Sequence, residues 1–230
     1  MLQSAAIVVA GGSGQRMSHD RPKQYLPLAG IPILARTLIT FDRTPCVGRI
    51  IVVVPHGDIA YVTSQIVNRY HIGKARHIQT GGDTRQDSVR NGLQMIEDGD
   101  DIILIHDGAR PLVTQGLIVC SIREAARSGA VIPVIPFPDT VKTIDNAGIV
   151  QNTPDRSRLR LAQTPQAFRR EIILDAYERA YHEGFYGTDD ASLVERMGVP
   201  VRTIPGSPHN FKITLPEDLL LGELVLERSN

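Results

Sequence analysis

Short apolar-rich runs alternate with longer amphipathic stretches from Ala5 to Ile135. The runs are Ala5–Ala10 (AAIVVA), Arg49–Val54 (RIIVVV), Arg76–Thr80 (RHIQT), Asp101–Ile105 (DIILI) and Ala130–Ile135 (AVIPVI). A strand that lacks polar alternation is one buried on both faces, as in a parallel sheet covered by helices. Between the runs, Pro32–Phe41, Asp58–Tyr70, Thr84–Ile96 and Gln115–Arg127 have the length and periodicity of amphipathic helices. This alternation predicts an α/β fold with a mostly parallel central sheet, in which ligands bind at the carboxyl ends of the strands.

The pattern changes between Asp139 and Thr164. There β-branched residues alternate around an Asn146-Ala-Gly148 turn, with too few apolar positions to add a core layer. That segment reads as a projecting β-hairpin or arm. Beyond it, Arg170–Tyr181, Asp190–Met197 and Glu217–Leu226 read as helices, and Val201–Ile204 and Asn210–Ile213 as extended.

Composition narrows the function classes. Lys and Arg together number 25, as do Asp and Glu, so the chain has no net charge with which to coat nucleic-acid phosphate. Cys46 and Cys120 lie in apolar surroundings without metal or redox spacing and read as buried free thiols. No stretch reaches bilayer length and Ala5–Ala10 is too short for a signal peptide, so a cytoplasmic protein without a membrane partner is expected. The histidines show no ligand spacing, and His106 reads as a packed support for its neighbour Asp107 rather than as a base.

The turn after the first run, Ala10-Gly-Gly-Ser-Gly-Gln-Arg16, lets backbone N–H groups approach phosphate oxygens. It is no dinucleotide fingerprint, Walker loop or nucleophile elbow, because Met17 and Gln15 stand where glycines would be needed and G-K-[ST] is missing. An NAD-dependent oxidoreductase also requires an acidic residue about 20 positions later, where the chain has Ile31–Leu34. Arg16 and Lys23 follow the glycines closely enough to converge on a polyphosphate. Fixed cations of this kind lower the barrier to phosphoryl and nucleotidyl transfer.

V-A-G-G-S-G-Q-R-M followed by P-K-Q-Y resembles the opening signature of nucleotidylyltransferases that activate sugars and polyols. His106-Asp-Gly-Ala-Arg-Pro111, Gln163-Thr-Pro-Gln-Ala-Phe168, Thr188-Asp-Asp-Ala-Ser192 and Phe211-Lys-Ile-Thr214 stand in the order of the 2-C-methyl-D-erythritol 4-phosphate cytidylyltransferase family. The ribitol-5-phosphate cytidylyltransferases share some of these motifs and are the nearest alternative. The resemblance implies a single Rossmann-like nucleotidyltransferase domain over residues 1–230, with 139–164 as a dimerisation arm. It also implies CTP and methylerythritol phosphate as substrates, Mg²⁺ as the metal, and a homodimer. Fused relatives carry a second domain, for which the chain is too short.

By the same resemblance, Ala10, Gly11, Gly12 and Gly14 line the CTP pocket, and Gly82, Asp83 and Ser88 read the cytosine and ribose. Asp83 reads equally well as a helix N-cap. Arg16 and Lys23 stabilise the α-phosphate. Lys212 holds the attacking phosphate, and Arg156 pairs with it from the arm of a second subunit, where Thr140 also contacts the acceptor. Asp155 is a competing partner for Arg156. Asp107, at the end of a strand, is a candidate for holding Mg²⁺ directly or through water, or for a substrate hydroxyl. Arg110, Thr164 and Thr188 complete the expected substrate-binding set.

Overall fold

The computed structural model describes residues 3–11 and 22–228. Four parallel strands form one side of the main sheet, out to its edge at β3: β1 (Ser4–Val9), β2 (Arg49–Val54), β3 (Ala75–Thr80) and β4 (Ile102–Asp107). Their order is β4-β1-β2-β3, so β1 is flanked on both sides by parallel partners. β5 (Ala130–Pro136) lies further out, separated from β4 by the antiparallel strand β7 (Gln166–Arg169). The antiparallel strand β6 (Arg160–Ala162) and the parallel strand β8 (Arg202–Pro205) also pair with β5.

Successive side chains of a strand point to opposite faces, and here both faces are covered. On one side, Ala6, Val8, Val52 and Leu104 pack against α1 (Ile33–Asp42), α4 (Gln115–Ser128) and the helical turns 59–68. On the other, Ile7, Val53, Ile103 and Ile105 meet α3 (Arg85–Leu93), α5 (Arg170–His182) and α6 (Asp190–Arg196). This double burial explains why β1, β2 and β4 read as apolar runs rather than alternating ones. Helix α2 (Ile59–Tyr61) continues as a π-helical stretch, Val62–Asn68, where a regular helix is expected. The last helix, α7 (Pro216–Glu227), packs Leu219, Val225 and Leu226 against Leu26, Leu28 and Ile213.

The arm leaves β5 and returns through β6. Its tip pairs Thr143–Ile144 with Val150–Asn152 around a turn in which Asp145 accepts the N–H groups of Ala147 and Ile149, both at 2.9 Å. No residue from 137 to 162 is buried within this chain. The arm is shorter than its sequence suggests, because Arg160–Ala162 joins the main sheet and Gln163 and Thr164 are buried below its end. Asn210–Ile213, expected as extended, forms no ladder and is held by isolated backbone bonds such as Ile213 N–H to the distant Ala109 carbonyl at 2.8 Å. Cys46 is half-buried and Cys120 exposed on α4, so the expectation of two buried thiols fails for Cys120.

Gly92 sets how closely α3 approaches the sheet. A Cβ built there would lie 2.7 Å from Ile7 Cγ2 and 3.1 Å from Val53 Cγ2, both in the core. Replacing a helical glycine by a larger residue ordinarily raises stability. Here Gly92→Val is expected to lower it by about 1–3 kcal/mol through overpacking, read as a shift in the chemical-unfolding midpoint; an unchanged or raised midpoint would contradict this packing.

Candidate active site

The parallel strands bring three loops to one rim. Ala10 and Gly11 follow β1, Gly81–Thr84 follow β3, and Gly108–Arg110 follow β4. Gly11 lies beside Ser88, whose Oγ would stand 3.5 Å from a Cβ at that position. The Ser88 hydroxyl accepts the Gly82 N–H at 3.2 Å and donates to the Thr84 carbonyl at 2.9 Å, fixing the shape of the second loop. Gly82 has no room for a side chain, since a Cβ would meet Asp87 Cβ at 2.4 Å. Thr84, and not Asp83, caps α3: it forms a capping box with Asp87, while Asp83 sits exposed at the rim.

Asp107 is the charged centre. It ends β4, is 6% exposed, and gathers three cations from three segments. Arg85 Nε donates to Oδ1 at 3.1 Å, Lys212 Nζ lies 3.1 Å from Oδ2, and Arg110 Nε lies 3.4 Å from the same oxygen. Burial works to raise the pKa of this carboxyl, but Arg85, Lys212 and Arg110 outweigh it and hold the group well below the usual carboxylate range. It is therefore ionised at neutral pH.

Arg85 was not foreseen in the sequence. Its terminal nitrogens form a bidentate pair with Asp190 at 3.0 and 2.8 Å, and Asp190 also accepts the Tyr177 hydroxyl at 2.6 Å. Asp190 is fully buried. Its position within the T-D-D-A-S motif is a signal for the carboxylate alone. Nothing in the linear pattern connects it to Arg85, 105 residues earlier.

His106 and Thr164 support the centre from behind. The Asp107 N–H donates to Thr164 Oγ1 at 3.1 Å, and Thr164 Oγ1 lies 3.0 Å from His106 Nδ1. His106 Nε2 lies 3.2 Å from the Arg110 carbonyl, which can only accept. The one tautomer that satisfies every group carries its proton on Nε2, with Thr164 donating to Nδ1. The Thr164 hydroxyl is thus engaged inside the protein, accepting from the Asp107 N–H and donating to His106. Burial, assisted by Arg110 and Arg85 and opposed by Asp107, pushes the His106 pKa down to about 3.

The remaining expected residues divide. Lys23 Nζ donates to the Ile213 carbonyl at 3.0 Å, so Lys23 and Lys212 meet at one stretch of chain. That stretch is tied to the β4 loop by Arg110 NH1, which donates to the Asn210 carbonyl at 2.8 Å. Thr188 is exposed just before α6. Thr140 and Arg156 are exposed on the arm, and among the described residues neither bonds to the Asp107 cluster. Asp155 spends its carboxylate on Ser157, at 2.9 and 2.8 Å, and does not pair with Arg156. Gly12, Gly14 and Arg16 lie outside the described residues.

The fit to a resident metal is poor. Among the described residues no group of three or more His, Cys, Asp or Glu could hold an ion, and both Asp107 oxygens already face cations. A divalent ion with oxygen ligands needs either several carboxylates or substrate phosphates, and only the second remains.

The family model described as 2-C-methyl-D-erythritol 4-phosphate cytidylyltransferase matches residues 4–228. The chain belongs to that family. It is 50% identical over 223 residues to the protein of that name from Syntrophus aciditrophicus (strain SB), covering 97% of this chain and 95% of the relative. The relative from Geotalea uraniireducens (strain Rf4) is 46% identical, with 100% and 99% covered. The crystal structure of 4-diphosphocytidyl-2C-methyl-D-erythritol synthase from Anaerococcus prevotii DSM 20548 superposes with a TM-score of 0.87 at 32% identity, covering 98% of this chain and 96% of that one. The cytidylyltransferase from Thermus thermophilus gives 0.80 at 32% identity, over 99% and 100%.

Within this fold, His106 carries an acid sensitivity. Its unfolded pKa is near 6.5, so between that value and about 3 the unfolded chain binds a proton that the folded chain refuses. Its share of stability is complete above pH 6.5 and falls as pH falls. The urea midpoint of the metal-free protein should drop between pH 7 and pH 5, and His106→Gln should flatten that drop. An equally steep drop in the variant would contradict the neutral imidazole.

Proposed function

We infer that the protein transfers the cytidylyl group of CTP to 2-C-methyl-D-erythritol 4-phosphate, giving 4-diphosphocytidyl-2-C-methyl-D-erythritol and pyrophosphate in the non-mevalonate isoprenoid precursor pathway. The observation that carries this reading is the family match over residues 4–228. The cation-ringed Asp107 at the carboxyl end of a parallel strand suits the same chemistry.

The reaction is one in-line displacement. An oxygen of the acceptor's phosphate monoester attacks the α-phosphorus of CTP, the bond to the β-phosphate oxygen breaks, and pyrophosphate leaves. A phosphate monoester is already anionic near neutral pH, so no general base is required. Ala10, Gly11, Gly12 and Gly14 would cradle the triphosphate, with Arg16 and Lys23 on the α-phosphate. Gly82, Asp83 and Ser88 would read the nucleoside. Lys212 would turn from Asp107 to the acceptor phosphate, a movement its long, 39% exposed side chain allows. Asp107, with Arg110 beside it and Thr188 at the rim, would then receive acceptor hydroxyls.

Mg²⁺ would enter with CTP, held by its phosphates, with Asp107 reached through water. We also propose a single domain over residues 1–230 and a cytoplasmic homodimer joined by the arms. The arm exposes Ile144, Ile149 and Val150, which a second copy would cover, and so would bring Thr140 and Arg156 to the neighbouring site.

Pyrophosphate release should be followed with CTP and Mg²⁺, offering methylerythritol phosphate and ribitol 5-phosphate in turn. Turnover is expected with the first, and Lys23→Ala and Lys212→Ala should each lower kcat/KM by about a hundredfold or more. Turnover with ribitol phosphate alone would assign the chain to that other acceptor.

A further inference from the structure

We propose that Arg85 is a positioning residue for the acceptor: anchored on buried Asp190, it holds Asp107 so that one carboxylate oxygen stays turned to the cleft. The proposal rests on the transfer reading above and adds to it a residue that acts through another.

The two oxygens of Asp107 are held differently. Oδ1 accepts from Arg85 Nε at 3.1 Å, whereas Oδ2 is shared by Lys212 at 3.1 Å and Arg110 at 3.4 Å. Lys212 is a flexible point charge that an arriving phosphate can draw away. Arg85 has no such freedom. Both terminal nitrogens are committed to Asp190, at 3.0 and 2.8 Å, in the planar geometry that makes arginine–carboxylate pairs directional. Asp190 is itself fixed by the Tyr177 hydroxyl at 2.6 Å and is fully buried.

The brace therefore runs from Tyr177 on α5 through Asp190 on α6 and Arg85 on α3 to the end of β4. When anions recruit Lys212, Oδ2 keeps Arg110 at 3.4 Å but gains a vacant lone pair, and Oδ1 keeps the carboxylate from rotating. Oδ2 can then take a hydroxyl hydrogen of the polyol, which makes the brace a determinant of acceptor binding rather than of nucleotide binding. Arg85 also neutralises Asp190, and that purely structural role must be separated from the positioning one, because a buried carboxylate left without its partner is costly.

Arg85→Gln and the double variant Arg85→Gln/Asp190→Asn make that separation. The double variant leaves no uncompensated buried charge, so it should stay folded even if the single one does not. In the double variant the KM for methylerythritol phosphate is expected to rise about tenfold or more, with the KM for CTP within about twofold of the unaltered enzyme. The single variant, where folded, should show the same split. A normal acceptor KM in the double variant would overturn the proposal, as Arg85 would then serve only to neutralise Asp190. A parallel rise in both KM values would overturn it too, by tracing the effect to the whole site. No turnover of methylerythritol phosphate by the unaltered enzyme is a separate outcome, which would overturn the transfer reading and this proposal together.

Discussion

A single ionised carboxylate, at the end of a strand in the middle of a doubly covered sheet, sets the terms for the rest of the molecule. A buried charge is tolerated only when it is paired and hydrogen-bonded. Asp107 meets that demand with Arg85 from the start of α3, Arg110 from its own loop and Lys212 from the irregular segment before α7. Its backbone N–H is answered by Thr164, where the chain passes between β6 and β7. Segments widely separated in sequence are thus required to meet at one point, and the topology of the sheet is what lets them.

The same arrangement favours a polyanion. Arg85, Arg110 and Lys212 against Asp107 and Asp190 leave one positive charge in excess before Lys23 is counted. Two of these cations are also bonded elsewhere in the protein, Arg85 to Asp190 and Arg110 to the Asn210 carbonyl, while Lys212 pairs with Asp107 from a half-exposed side chain. Preorganised charge costs no reorganisation at the moment of reaction, and this is where nucleotidyl transfer obtains most of its acceleration. His106 contributes by staying neutral: its ring holds Thr164 and the Arg110 carbonyl in place and has no site left to move a proton.

Much of this was legible in the sequence because it obeys local rules. The apolar runs of β1, β2 and β4 needed no tertiary knowledge, since burial on both faces removes the polar alternation. Asp107 could be picked out because it ends such a run. Arg85 could not: its role depends on Asp190 and Asp107, both far away along the chain, and at the first position of a helix an arginine looks like ordinary surface charge. β7 was missed for a related reason, as Gln166–Arg169 is too short to show a period and becomes a strand only between β4 and β5. The Thr164 link to His106 is likewise invisible in the sequence, since the two lie 58 residues apart.

Fixed charge, and no side-chain nucleophile, carries the transfer in one displacement. The stereochemical course at the α-phosphorus tests this most directly, using CTP in which a sulfur makes that phosphorus chiral and analysing the configuration of the cytidylylated product. A single in-line attack by the acceptor phosphate predicts inversion. Retention would mean two displacements through a covalent cytidylyl-enzyme, and would contradict a transfer carried by fixed charge alone.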